Sequence, residues 1–292
     1  MKNNHLEIRT ISLEKNLGFA GGYNEGLKQI NAEYFIIVNS DIEVTKNWIP
    51  PLIEVLKNNN SISAIQPKIL SLTNKDYFEY AGAAGGFIDL LAYPFCRGRV
   101  FNHVELDEKQ YNTYSEIFWA SGACMAIKSK DFNVVGGFDK DFFAHMEEID
   151  LCWRLKNLGK HIFYTSESNV YHYGGGTLEY SSPKKTYLNY RNNLWMIHKN
   201  FKGKIPLLLF IVIRIFLDQI SGLKLLLSGD LKGCLSIVKA HFSYIISIGE
   251  LNFKRKQYSK LNFHDLKGYT NKSAIWNYFF LKRKTFSEIK GK

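Results

Sequence analysis

Tyr34-Phe35-Ile36-Ile37-Val38-Asn39-Ser40-Asp41 is a continuous apolar run that ends in a polar turn and an acid. Five apolar residues without polar alternation read as a strand buried on both faces, as in a parallel sheet. In open α/β sheets ligands gather at the carboxyl ends of the strands, and Asp41 stands at such an end. A carboxylate there suits a hard divalent cation, Mg²⁺ or Mn²⁺, beside a diphosphate. Asn39 is neutral, so the turn carries one charge fewer than a D-x-D pair. Taken alone, the same residues also read as an Asx turn or a helix cap.

Upstream, residues 6–13 alternate apolar and polar and predict a short strand. Lys15-Asn16-Leu17-Gly18-Phe19-Ala20-Gly21-Gly22-Tyr23-Asn24-Glu25-Gly26 predicts a glycine-rich turn running into a helix that ends near Ile30. It lacks both G-x-G-x-x-G and G-K-[ST], which argues against dinucleotide or Walker-type binding. Its glycines still allow close backbone approach to a ligand. Downstream, Thr45 is a candidate cap for a helix that carries Pro50 and Pro51 near its start. Residues 60–115 read as irregular. Residues 118–127 predict a strand with Ser121-Gly122-Ala123 inside it, and residues 146–158 a helix stopped by Gly159. Short strands follow at 162–164 and 169–171, then an amphipathic helix at 187–201.

Glu147-Glu148-Ile149-Asp150 places three carboxylates at a helix start, where the dipole favours negative charge. Asp150 and Arg154 are i, i+4 and predict a structural ion pair. Glu147 and Glu148 point about 100° apart, so one can face a cleft as a general base while the other pairs or caps. Adjacent acids raise each other's pKa, which helps a base act near neutrality. His172 lies just after a strand and before Gly174-Gly175-Gly176; it reads as a packed core residue or as a ligand.

With 292 residues, 46% of them hydrophobic, the chain can bury a sizeable core. Cys96, Cys124, Cys152 and Cys234 form no C-x-x-C pair and read as reduced cytosolic thiols. No apolar signal segment follows the polar residues 1–5. From Phe253 to Lys292 there are eleven bases and two acids, so +9 of the net +11 sits in the last forty residues. The composition changes at Lys204. Ile205–Leu217 and Cys234–Ile248 are apolar runs, each interrupted by charge or imidazole, and both fall short of the ~20 residues of a bilayer span. They fit helices in a membrane interface, or a buried hairpin, better than spans. The basic, aromatic-bearing tail points to an anionic membrane surface; no recognised motif supports nucleic acid.

The ordered set resembles the inverting glycosyltransferase family 2, in its bacterial rhamnosyltransferase-like branch. The set consists of residues 16–26, Asn39-Ser40-Asp41, Gly122-Ala123-Cys124-Met125, Gly137-Phe138-Asp139, Phe142-Phe143, residues 147–154 and His172. The resemblance covers residues 6 to about 200. It implies an α/β, GT-A-like mixed sheet flanked by helices over residues 1–203, and the composition adds a helical, basic, membrane-associated extension over 204–292. It also implies that Asp41 and His172 bind the metal, and that Asn16, Gly18, Asn24, Asn39 and Asp41 line the site of a UDP- or dTDP-linked sugar. Gly122 and Ala123 would face the acceptor, a glycan or lipid-linked glycan. Glu148 would be the base and Glu147 would position the acceptor. The protein would then work peripherally at the cytoplasmic face of the membrane.

Two departures accompany the likeness. Glu148 stands where the family usually has Asp. The β-α units that hold the nucleotide base would be missing at the amino end, about 60 residues, exposing the edge of a strand meant to be central. A misassigned start, a truncated gene or a partner supplying that half are three explanations. The rival reading is a non-catalytic remnant that binds membrane or acceptor.

Overall fold

A computed structural model describes residues 8–79, 82–174 and 182–291. The first half runs α1 (Gly18–Leu27), β1 (Tyr34–Val38), β2 (Ile42–Val44), α2 (Ile49–Asn58) and β3 (Ile62–Ser71). A small meander follows: β4 (Gly86–Ile88), β5 (Pro94–Cys96), β6 (Arg99–Val100) and β7 (His103–Val104). Then come β8 (Ser115–Ile117), β9 (Cys124–Lys128), α3 (Ser129–Val134), α4 (Glu147–Asn157) and β10 (His161–His172). The chain closes with α5 (Pro183–Asn200), α6 (Leu207–Leu227), α7 (Leu231–Lys256) and α8 (Phe286–Lys290).

The main sheet is mixed, in the order β1-β9-β3-β10-β2, with β8 also on β10. Only β3 and β10 run parallel. The expected α/β mixed sheet flanked by helices is therefore present, but β1 differs from its predicted parallel pairing. It pairs antiparallel with β9, and among the described residues no strand lies on its other edge. Its apolar run has another cause. Phe35 and Ile37 face the main core, while Tyr34 and Ile36 pack on Leu52 and Leu56 of α2.

The central strand β3 lies inside the region read as irregular. Its sequence Ile-Ser-Ala-Ile-Gln-Pro-Lys-Ile-Leu-Ser shows no period, because its polar groups are buried with partners. Ser63 Oγ donates to Asp131 (2.7 Å) and Gln66 Nε2 to the Gly82 carbonyl (3.0 Å). Pro67, which has no N–H to donate, sits where the β3–β10 register slips between Thr165 and Asn169. That bulge is also why the two short strands predicted at 162–164 and 169–171 are one strand.

Other local expectations change too. Residues 8–13 form no strand; Leu6 and Glu7 lie outside the described residues. The glycine-rich stretch is itself helical from Gly18. The Thr45 hydroxyl donates to the Asn169 carbonyl (2.7 Å) instead of capping α2. The predicted strand at 118–127 begins only at Cys124, and residues 118–123 leave the sheet. Gly159 ends α4 with φ +75°, as predicted.

α6 and α7 extend well beyond the two apolar runs, to 21 and 26 residues, and pack as a hairpin on α5. α7 is long and apolar enough to cross a membrane by length and composition. The basic tail does not trail away. Tyr269 pairs with Ile88, and the Phe286 ring packs tilted on Phe87, 4.6 Å between centroids. Phe263 packs on Trp153 at 5.0 Å. Several of its cations have structural partners: Lys254 pairs with Asp139 and Asp141, and Arg255 donates to the His198 and Phe201 carbonyls.

Candidate active site

β2 runs antiparallel to β10 and pairs Ile42 with His172, which brings Asp41 to the end of β10. Asp41 Oδ1 lies 3.2 Å from His172 Nε2. The opposite ring nitrogen, Nδ1, lies 3.1 Å from Glu79 Oε2. Burial pushes the His172 pKa down, but the Glu79 and Asp41 carboxylates outweigh it and the net shift is upward.

This pair fits a divalent cation. Cis ligands of an octahedral ion at ~2.1 Å lie about 3 Å apart, close to the 3.2 Å observed. Nε2 is buried and faces Asp41 without a well-aligned hydrogen bond, a condition that an ion between them would relieve. Glu79 then takes the place of the carboxylate that orients a ligating imidazole. Among the described residues no group of three His, Cys, Asp or Glu is arranged to hold an ion. The described residues would thus supply two ligands, Asp41 and His172, beside diphosphate and water oxygens. A cleft of about 310 Å³, lined by Ser71, Thr73, Tyr77, Glu79 and Gly174 among others, opens beside Glu79. The larger cleft, near Tyr34 and Lys128, lies at the opposite end of β1 and away from this chemistry. Gly175 and Gly176, which follow, lie outside the described residues.

The acidic side is built at the start of α4. Glu147 is buried and Glu148 half-buried, and each has an Oε2 without a partner. Burial raises the Glu147 pKa well above the ordinary value, with Glu148 and Asp150 adding to the rise. Burial raises Glu148 to about 7, against the pull of the Glu148 and Ile149 amides. One backbone segment links the two sides. The Ala123 carbonyl accepts from Asn39 N (3.0 Å), and a Cβ on Gly122 would lie 3.7 Å from Glu148 Cβ.

Residues 1–136 match the family model described as glycosyl transferase family 2. Over those residues, just under half of its length, the chain is similar to glycosyl transferase family 2. The low-salt glycan biosynthesis hexosyltransferase Agl10 of Haloferax volcanii is 24% identical over 73% of this chain and 68% of its own length. The N-acetylglucosaminyl-diphospho-decaprenol L-rhamnosyltransferase of Mycobacterium tuberculosis is 22% identical over 57% of this chain and 59% of its own. The rhamnosyltransferase WbbL of Escherichia coli is 31% identical over 25% of this chain and 27% of its own. The chain thus spans between about a quarter and two thirds of these relatives' lengths. The mixed sheet with flanking helices is the GT-A-like architecture expected of family 2.

Against that family, some residues singled out from sequence have structural contacts. Asn24 uses both ends of its amide on Phe138, donating to its carbonyl (2.7 Å) and accepting from its N–H (3.0 Å). These two bonds fix the 137–138 turn against α1, beside the position expected to line the donor site. Asn16 Oδ1 accepts from Gly18 N (2.9 Å) at the start of α1. Gly18, at φ +70°, has no room for a Cβ, which would lie 2.3 Å from the Phe143 carbonyl. Asp150 meets Arg154 at 2.8 Å as predicted, and also Lys199 at 2.9 Å and Asn200 at 2.8 Å, all buried.

Three residues escaped the sequence reading: Glu79, His145 and Asn192. Burial, reinforced by Lys185, lowers the His145 pKa to about 4, so the imidazole is neutral near pH 7. Phe143, His145 and Met146 have φ of 64°, 70° and 71°, uncommon backbone for such residues just before α4. Asn192 pins this loop by donating to the Phe142, Ala144 and His145 carbonyls at 2.9, 2.9 and 2.7 Å. The one signal in sequence is the polar triplet Arg191-Asn192-Asn193 inside a helix.

Two predictions arise here. Asn192→Ala leaves the Ala144 and His145 carbonyls short of a donor, at about 1–3 kcal/mol, while the Phe142 carbonyl keeps Ala144 N and Arg191. It should lower the melting temperature by several degrees and turnover by ~10²-fold through misplacement of Glu148. Unchanged turnover would show that the clamp does not position the acid. The second concerns Glu147, whose folded pKa is raised. Its contribution to stability is present below its unfolded pKa near 4.5 and lost as pH rises toward the folded value. Glu147→Gln should therefore melt progressively higher than the wild type from pH 5 to 8. A pH-independent difference would mean that Glu147 does not carry this cost.

Proposed function

We propose that this chain transfers a sugar from a UDP- or dTDP-linked donor to a lipid-linked or cell-envelope glycan. The reaction would be metal-dependent and inverting, at the cytoplasmic face of a membrane. The observation that carries the reading is the shared segment 122–123, which ties a cation-sized Asp41–His172 pair to an acid poised near neutrality. The relatives' names, a hexosyltransferase and a diphospho-decaprenol rhamnosyltransferase, support the substrate classes. A mostly apolar outer face on α6 and α7 supports the membrane.

In this mechanism Glu148 Oε2 takes the proton of the acceptor hydroxyl. The acceptor oxygen forms its bond to the anomeric carbon from the face opposite the diphosphate. The bond from that carbon to the diphosphate oxygen breaks, and its electron pair leaves with the nucleoside diphosphate. Backside attack inverts the anomeric configuration. Asp41 and His172 would hold Mg²⁺ or Mn²⁺, which when bound stabilises the charge on the departing diphosphate. Glu79 holds the imidazole in register, and Gly122 lets the Phe19 ring and Glu148 pack close to the 122–123 segment. Asn16 and Gly18, with Asn39, flank the donor side in this assignment, while Gly122 and Ala123 flank the acceptor.

The test is equilibrium binding of UDP and of dTDP to the full chain, with and without Mn²⁺. Binding of one nucleotide that requires Mn²⁺ is the expected result. If neither binds in the presence of the ion, the donor-site assignment is wrong.

A further inference from the structure

α6 has its polarity reversed. A helix on a globular surface keeps its apolar stripe inward and its charges outward. Here Arg214 and Asp218 face inward and are 1% exposed, whereas Leu208, Val212, Phe216, Ile220, Leu223 and Leu227 line the outer face. Phe216 is 65% and Leu227 80% exposed. α7 repeats the pattern, with His241 inside and Leu235, Val238, Phe242, Ile246 and Phe253 outside. Two parallel stripes of large apolar side chains far exceed the scattered exposure usual for a soluble surface.

The inward charges meet partners on residues 91–93 and on α7. Asp218 accepts from Tyr93 Oη (3.2 Å) and meets His241 Nε2 (3.3 Å). Arg214 donates to the Leu91 carbonyl and its guanidinium lies 3.4 Å over the Tyr93 ring. Further along α7, Tyr244 bonds His198 (2.8 Å) and Ser243 bonds Tyr187 (3.1 Å). Protein therefore covers the inner side of both helices along their length. The 26 residues of α7 are long enough to span a bilayer, yet a perpendicular insertion would carry these buried ion pairs and the packed domain into hydrocarbon.

One edge of this surface is basic and aromatic. Lys224 Nζ lies 5.0 Å over the Phe279 ring, joining the end of α6 to residues 276–284. Trp276, Phe279, Phe280 and Leu281 are exposed there, followed by exposed Lys282, Arg283 and Lys284. Aromatic rings with adjacent cations are the composition of a headgroup layer that carries negative charge. A second copy of the chain, packed on the same face, would set this basic edge against its like.

We propose that α6 and α7 lie side by side in the plane of an anionic lipid leaflet. Their outer stripes enter the acyl boundary and residues 276–284 sit at headgroup level. This deepens the membrane part of the proposed function. It does not depend on the transfer chemistry, because Mn²⁺-dependent nucleotide binding, measured alongside, reports the catalytic half separately.

The experiment is flotation of the full chain with phosphatidylcholine vesicles, with or without phosphatidylglycerol. The wild type should float with the mixed vesicles and far less with the neutral ones. Phe216→Asp with Phe242→Asp replaces two exposed side chains and should lose at least tenfold in partitioning, with unchanged melting. Lys282→Glu with Lys284→Glu should lose about tenfold on anionic vesicles only, and the wild-type preference should fade with salt. Spin labels at Leu235→Cys and Phe253→Cys, in a Cys234→Ser background, separate in-plane from spanning geometry. The two positions are about 27 Å apart along α7. Equal shallow depths support the proposal, and a depth gradient between them overturns it in favour of a span. Absence of flotation also overturns it, and a dimer dispersed by the Phe216→Asp and Phe242→Asp pair would assign the face to a second copy.

Discussion

Glu148→Gln should abolish sugar transfer while leaving Mn²⁺-dependent nucleotide binding intact. The substitution keeps the size and shape of the side chain and removes its ability to take a proton. General-base catalysis contributes ~10²–10⁴-fold, so turnover should fall by at least that much. Burial holds the Glu148 pKa up at about 7, and a base works only when unprotonated. The wild-type kcat/KM should accordingly climb as pH rises through about 7 and level off above it. Residual activity of the Gln variant should lose that limb. Glu148→Asp keeps the carboxylate but withdraws it by about one C–C bond, ~1.5 Å. Turnover should then drop by ~10²-fold with the pH limb retained. Full turnover by the Gln variant would remove Glu148 from the base role. The same substitution should not destabilise the fold above pH 7, because it removes a charge that burial disfavours.

Asp41→Asn should remove metal-assisted donor binding. The proposed site has two protein ligands, and only Asp41 is anionic. Loss of that charge should weaken Mn²⁺ binding by more than ~100-fold, since even substitutions behind the ligands cost 10–100-fold. Titration of Mn²⁺ followed by electron paramagnetic resonance reads this without any turnover. Glu79→Gln provides the graded comparison. Its carboxylate lies 3.1 Å from His172 Nδ1, so Mn²⁺ affinity should fall 10–100-fold while the Asp41 and His172 ligands remain. An unchanged affinity in Asp41→Asn would place the ion elsewhere.

Much of the site was readable in the linear chain because each piece has a local cause. Tyr34 to Val38 is an apolar run that leads through a polar turn to the acid Asp41, and α4 opens on three carboxylates before a positive last turn. The Asp150–Arg154 pair follows from i, i+4 spacing alone. β3 was not readable, because Ser63, Gln66 and Lys68 are buried against partners 16 to 68 residues away. Their polarity hides the strand's periodicity. Glu79 and Asn192 were missed for a related reason: their value lies in what the fold sets beside them.

From its order of residues alone, this chain settles that an acid ends a strand, that paired glutamates open a helix, and that apolar helices with interior charges close the sequence. Those features depend on neighbours within a turn or a strand, where propensity and side-chain period act directly. The tertiary structure decided which of them meet. Antiparallel pairing of β2 with β10 joins Asp41 to His172, 131 positions later. Docking of Arg214 and Asp218 on Leu91 and Tyr93 turns α6 inside out. Such contacts reflect the requirement that every buried charge find a partner, and only the packed fold determines where that partner stands.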